Sequence, residues 1–188
     1  MEVNGRGELY VPDKNIALVV IDYQEKMMPA ISDKDTVLKN GRKAIDVANT
    51  LSIPLVVTEQ NPEKMGVSVP IISEVIGSDK VISKSDFSCF GEENFVKALA
   101  DLNVDSLVIC GVETHVCVLQ TALDALTDGY RTFILEDACG SRDPDNKRAA
   151  LNRARDLGCD IITVEMMAFE TMKTFTHEKF REVSKLIK

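Results

Sequence analysis

The chain has 188 residues, 45% of them hydrophobic, which suits a single domain, residues 1–188, with a sizeable core. A formal net charge of −8 argues against nucleic acid or an anionic membrane as partner, because both select an excess of lysine and arginine. No apolar run approaches the roughly 20 residues of a membrane span, and Met1 to Gly7 contains no signal-peptide core, so a soluble cytoplasmic protein is expected.

Residues 1–14 read as a polar arm or short edge segment. Ile16 to Ile21 is a continuous apolar run closed by Asp22, as expected of a central strand covered on both faces. After a loop through Pro29, the apolar residues Val37, Leu38, Ala44, Ile45, Ala48 and Leu51 recur at helical spacing over 36–52. Leu55 to Glu59 is a second strand, 60–66 a loop rich in breakers, 70–76 a short helix and 77–79 a turn. Val81 to Lys84 is a third strand, 85–91 a loop, and 92–102 an amphipathic helix. A fourth strand around Leu107 to Ile109 stops at Gly111 and opens within four residues into a helix over 114–128, capped by Gly129. Arg131 to Leu135 is a fifth strand, 136–145 a polar loop, 146–157 a helix capped by Gly158, and Cys159 to Val164 a sixth strand. Residues 165–188 read as helical, broken near 174–176. Strands alternating with helices imply a three-layer α/β/α arrangement around a mostly parallel sheet with right-handed crossovers.

Five cysteines (89, 110, 117, 139 and 159) form no paired spacing, and a chain of this size needs no disulfides, so reduced thiols are expected. With two histidines and no CxxC, a Cys/His zinc site is disfavoured. Cys117 lies in the first turn of the helix after the fourth strand, where unpartnered N–H groups and the helix dipole favour a thiolate. It reads either as a nucleophile or as a small buried hydrophobe.

In such a sheet, ligands bind beyond the C-terminal strand ends. Asp22, then Thr58, Glu59 and Gln60, then Lys84, Cys117 and Asp137 fall there in turn. A thiol, a carboxylate and an ammonium at one rim form an acyl-transfer set: the thiol attacks, the carboxylate takes its proton, and the ammonium favours the ionised forms. His115 precedes Cys117 too closely for the two side chains to face one another, so Asp22 is the preferred base. Tyr23, Phe87 and Phe90 fall in rim loops and, with Gln60, are candidates for a substrate pocket, although plain loop packing would suit the aromatics equally.

The succession Val-Ile-Asp22, Ser-Lys84 and Gly111-Val-Glu-Thr-His-Val-Cys117 resembles the isochorismatase-like cysteine hydrolases, from about Asn15 to Val164. Thr58-Glu-Gln-Asn-Pro62 further resembles the isochorismatase domain-containing branch. The resemblance implies a sheet ordered 3-2-1-4-5-6 and a catalytic triad of Asp22, Lys84 and Cys117. It also implies a cis peptide between Val112 and Glu113, an oxyanion hole from the N–H groups of Glu113 and Cys117, and a homo-oligomer. Nicotinamidases of this group hold a metal through histidines after the second strand. Here residues 59–70 contain no histidine, so no metal or other cofactor is expected. The cysteine also points away from the vinyl-ether hydrolysis of isochorismatase itself. The expected activity is hydrolysis of a small amide or related C–N bond through a thioester. The alternatives are a catalytically silent or redox-sensing scaffold and, more weakly, a dinucleotide-binding domain, for which the G-x-G-x-x-G glycines are missing.

Overall fold

In the computed structural model, which describes residues 9–77 and 81–188, the apolar runs become six strands. They are β1 (Ile16–Ile21), β2 (Leu55–Gln60), β3 (Val81–Lys84), β4 (Ser106–Val112), β5 (Arg131–Gly140) and β6 (Asp160–Ile162). All pairings are parallel and the order is β3-β2-β1-β4-β5-β6, as the resemblance implied. The helices are α1 (Lys34–Thr50), α2 (Pro62–Met65), α3 (Pro70–Ile76), α4 (Glu93–Leu102), α5 (Leu119–Thr127), α6 (Pro144–Asp156), α7 (Val164–Met172) and α8 (Phe180–Ile187).

Strand alternation divides the core in two. Ile16, Leu18 and Val20 join Val108, Cys110 and Val112 against α1, α3, α7 and α8. Ala17, Val19 and Ile21 join Leu107, Ile109 and Ile134 against α4, α5 and α6. Every residue of β1 and β4 is buried, as a sheet covered on both faces requires.

Some details depart from expectation. The supposed loop after Leu135 continues as strand to Gly140: β5 bulges out opposite Cys110, and pairing resumes with Gly111 against Cys139 and Val112 against Gly140. The 60–66 loop contains the single-turn α2. The C-terminal helix α8 spends its apolar face within the chain: Val183 is fully buried and the Lys43 ammonium donates to the Ile187 carbonyl at 2.8 Å. Of the N-terminal arm, residues 1–8 lie outside the described residues, while Val11 is buried and its N–H donates to Glu170 at 2.9 Å. The turn expected at 77–79 lies largely outside them as well. Among the described residues no helix is long and apolar enough to cross a membrane.

Candidate active site

The strands place the functional side chains by register. Ile21 pairs with Thr58 on one side and Gly111 on the other, so the ends of β1, β2 and β4 lie level. Gln60 pairs with Lys84 at the ends of β2 and β3. Thr58, Gln60 and Lys84 share alternation with Val56 and Ile82, which face α4 and α5. The rim is also where the backbone is least regular: Asp22 (φ 59°), Asn61 (φ 38°) and Glu113 (φ 55°) all adopt left-handed conformations. Such non-glycine residues typically cost about 1–3 kcal/mol each and cluster at functional sites. Gly111 has no room for a side chain, since an added Cβ would lie 2.4 Å from the Ile21 carbonyl oxygen.

The left-handed turn at Asp22 breaks the strand alternation. The carboxylate reaches the α5 side, where Oδ1 accepts from the Thr58 hydroxyl at 2.9 Å and Oδ2 lies 2.9 Å from Lys84 Nζ. Neither charged side chain is exposed. The ammonium also donates to Gln60 Oε1 at 2.6 Å and to the carbonyls of Asp86 and Phe87, at 3.2 Å each. Cys117 is only 2% exposed, and its thiol lies close enough to Asp22 for the charge there to act on it. It sits in a π-type turn, Thr114–Val118, that leads into α5; such wide turns recur at functional sites.

Charge governs how these groups ionise. Burial pushes Asp22 above the ordinary carboxylate range, although Lys84, Thr58 and Cys117 each work to hold it down. Burial works to lower Lys84, but Asp22 and Cys117 outweigh it and keep the amine above the usual lysine value. The same burial, reinforced by the Asp22 charge, pushes the Cys117 thiol up to about 12. Lys84 and Asp22 stand as an ion pair at 2.9 Å, and the thiol beside them is neutral rather than the thiolate that the helix start alone would favour. Passing the thiol proton to Asp22 makes a thiolate without changing the net charge of the buried cluster. Losing that proton to water would leave an unbalanced buried anion.

The cis peptide expected between Val112 and Glu113 is absent: the described peptide bonds are all trans, and the chain reverses through the left-handed Glu113 instead. Tyr23 does not join the Asp22, Lys84 and Cys117 cluster. With Asp22 turned to the α5 side, Tyr23 falls on the α1 side, almost wholly buried, its hydroxyl bonded to the Ala138 carbonyl. Phe90 packs edge-on against Phe95 at 5.2 Å and beside Tyr130 at 6.0 Å, which anchors its loop. Phe87, at the tip of that loop, is 56% exposed. Gln60 is at the site, holding Lys84. His115 faces Ser141 and Glu113 rather than Cys117.

Thr58, placed at the rim by the sequence without a role, holds Asp22. Sequence reasoning missed Cys89, which is fully buried and places its thiol 3.8 Å from Thr58 Oγ1. Among the described residues no group of three or more His, Cys, Asp or Glu could hold a metal ion. The segment where nicotinamidase histidines would stand is instead closed by Glu59, which accepts from the Ser68 N–H and hydroxyl at 2.6 and 2.8 Å.

Residues 16–166 match the family model of the Isochorismatase domain. Isochorismatase domain-containing protein 2 of Xenopus laevis is 32% identical over 179 residues, 93% of this chain and 84% of that protein. The secreted isochorismatase effector Isc1 of Phytophthora sojae is 34% identical over 184 residues, 95% and 86% of the two chains. The solved MAR1 ribonuclease of Caenorhabditis elegans is 33% identical, with a TM-score of 0.89 covering 95% of this chain and 92% of its own. With the parallel sheet and its order, these matches establish that the chain belongs to the isochorismatase domain family, a family of hydrolases.

Proposed function

We propose that this protein hydrolyses a small amide or related C–N bond, with Cys117 as nucleophile, Asp22 as general base and Lys84 as the cation that holds Asp22 in place. The observation that carries the reading is the sealed Asp22–Lys84 pair beside a neutral thiol, a set that can form a thiolate by internal proton transfer. Sγ attacks the carbonyl carbon as its proton passes to Asp22, and the C=O pair moves onto oxygen. The N–H groups of Glu113 and Cys117 are the proposed donors to that oxyanion. Removing one such donor costs roughly 2.7–4 kcal/mol in other enzymes. Asp22 returns the proton to the departing nitrogen, and water activated by the same carboxylate cleaves the thioester. The enclosure of Cys117 supports a small substrate, with Gln60 and the exposed Phe87 as the proposed pocket residues. The net charge of −8 supports an uncharged or cationic substrate over an RNA like that implied by the MAR1 name.

A turnover screen of small amides, ureides and nicotinamide, run on wild type and Cys117→Ala, tests the assignment. Product release by wild type and none by the variant is expected. Activity surviving in Cys117→Ala would sink the mechanism. A second reading, a redox-sensing thiol, draws on Cys89 lying beside the same cluster. It requires sulfenic acid or a mixed disulfide at Cys117 under mild peroxide, with no turnover across the panel.

A further inference from the structure

Glu113 and the first two residues of the turn that carries Cys117 are each held by the last residue of β5 or the two that follow it. The Thr114 hydroxyl donates to the Gly140 carbonyl at 2.9 Å. His115 Nδ1 lies 3.1 Å from Ser141 Oγ. Arg142 donates to Glu113 through Nε to Oε1 at 3.1 Å and through Nη2 to Oε2 at 3.4 Å, a two-pronged grip that a planar guanidinium makes and an ammonium does not. His115 Nε2 stands 3.6 Å from Glu113 Oε2 as a second arm.

The holding segment is itself fixed. The Ser32 N–H donates to the Ser141 carbonyl at 3.0 Å and the Ser32 hydroxyl to the Arg142 carbonyl at 3.3 Å. Gly140 is closed in from α1 and its approach, since an added Cβ would lie 2.6 Å from Ile31 Cγ2. The Glu113 side chain is 10% exposed, so its carboxylate must be paired, and its backbone is left-handed, a state that persists only where its surroundings over-determine it. Among the described residues, neither Arg142 nor His115 hydrogen-bonds or ion-pairs with Asp22, Lys84 or Cys117.

We propose that Arg142, assisted by His115, is a positioning residue: by gripping the Glu113 carboxylate it holds the left-handed turn that aims the Glu113 N–H at the oxyanion. The inference rests on the oxyanion donors proposed above. It explains why a carboxylate is buried so close to a site that stabilises negative charge: the Arg142 guanidinium balances it.

Propionaldehyde separates thiol reactivity from carbonyl-oxygen stabilisation. Sγ adds to the aldehyde carbon, the C=O pair moves to oxygen, and that oxygen takes the thiol proton; the hemithioacetal oxygen occupies the place of an amide oxyanion. Iodoacetamide alkylates the same sulfur by displacing iodide and makes no demand on the hole. Aldehyde affinity is measured as protection of Cys117 from iodoacetamide, in wild type, Arg142→Ala, Arg142→Lys and Glu113→Gln. Removing a whole donor costs roughly 10²–10³ in rate elsewhere, so a displaced one is expected to weaken aldehyde binding about tenfold in Arg142→Ala. The unprotected iodoacetamide rate is expected to stay within about twofold of wild type, as the thiol's own neighbours are untouched. Arg142→Lys and Glu113→Gln, each keeping part of the grip, are expected to fall between and stand in if Arg142→Ala does not fold. Unchanged aldehyde affinity, or an equal loss in both readouts, overturns the positioning role. If wild type binds the aldehyde no better than glutathione does, the oxyanion donors themselves fail and the inference with them.

Discussion

Lys84 Nζ and Asp22 Oδ2 meet at 2.9 Å with neither side chain reaching solvent. Two charges withdrawn from water hold each other, and each needs the other to stay there. Lys84→Met, which strands the carboxylate, is expected to destabilise the fold by about 3–5 kcal/mol. Asp22→Asn combined with Lys84→Met is expected to recover much of that loss, because no uncompensated charge remains. Urea unfolding of the two single variants and the double variant measures this coupling; simple additivity would contradict it.

Thr58 contributes through Asp22. Its hydroxyl bond to Oδ1 is one of the interactions that hold the Asp22 pKa down against burial. Thr58→Val removes it, so the Asp22 pKa should rise further and the acid-side loss of Cys117 reactivity should move to higher pH. The stranded Oδ1 should also cost about 1–3 kcal/mol of stability. An unmoved acid limb would show that Thr58 serves packing alone.

Gly111 joins the strands that carry Asp22 and Cys117. It pairs with Ile21, and an added Cβ would press on the Ile21 carbonyl oxygen at 2.4 Å. Gly111→Ala is expected to destabilise by about 1–3 kcal/mol or more and to lower Cys117 reactivity, since relief requires β1 and β4 to part. Thermal melting and alkylation rate together check this; a stable, slow-reacting variant would place the effect in the site alone.

Much of this architecture is readable without coordinates, and the exceptions share a cause. The run from Ile16 to Ile21 and the helical spacing from Val37 to Leu51 declare their elements because burial on two faces, or on one stripe, leaves a periodic trace. The resemblance around Cys117 supplied the strand order. Tyr23 and the Val112–Glu113 peptide differ from expectation because both depend on single left-handed residues, Asp22 and Glu113, which no pattern of apolar residues encodes. The extension of β5 to Gly140 leaves no apolar trace because β5 bulges past Cys110 with polar residues before pairing with β4 resumes at Cys139. Arg142 read as loop charge, since its partner Glu113 is 29 residues away and joined to it only by the sheet.

The proton inventory at Cys117 is the centre of the account, and the pH dependence of its alkylation by iodoacetamide tests it most directly. A free thiol gains about tenfold in reactivity per pH unit below its pKa near 8.5. In this site burial and the Asp22 charge push the thiol up to about 12, so reactive thiolate comes only from transfer to Asp22, which leaves the proton count unchanged. Asp22, raised by burial, must first be ionised to accept that proton, so reactivity should fall on the acid side, at a pH above the ordinary carboxylate range. Followed at the Cys117 peptide by mass spectrometry, the wild-type rate should vary less than about twofold between about pH 7 and pH 9, where a free thiol would still be titrating. In Asp22→Asn the plateau should give way to a single rising titration curve. A wild-type rate that climbs about 25-fold or more across that range, as an ordinary thiol's does, would contradict the Asp22–Cys117 proton transfer on which the mechanism stands.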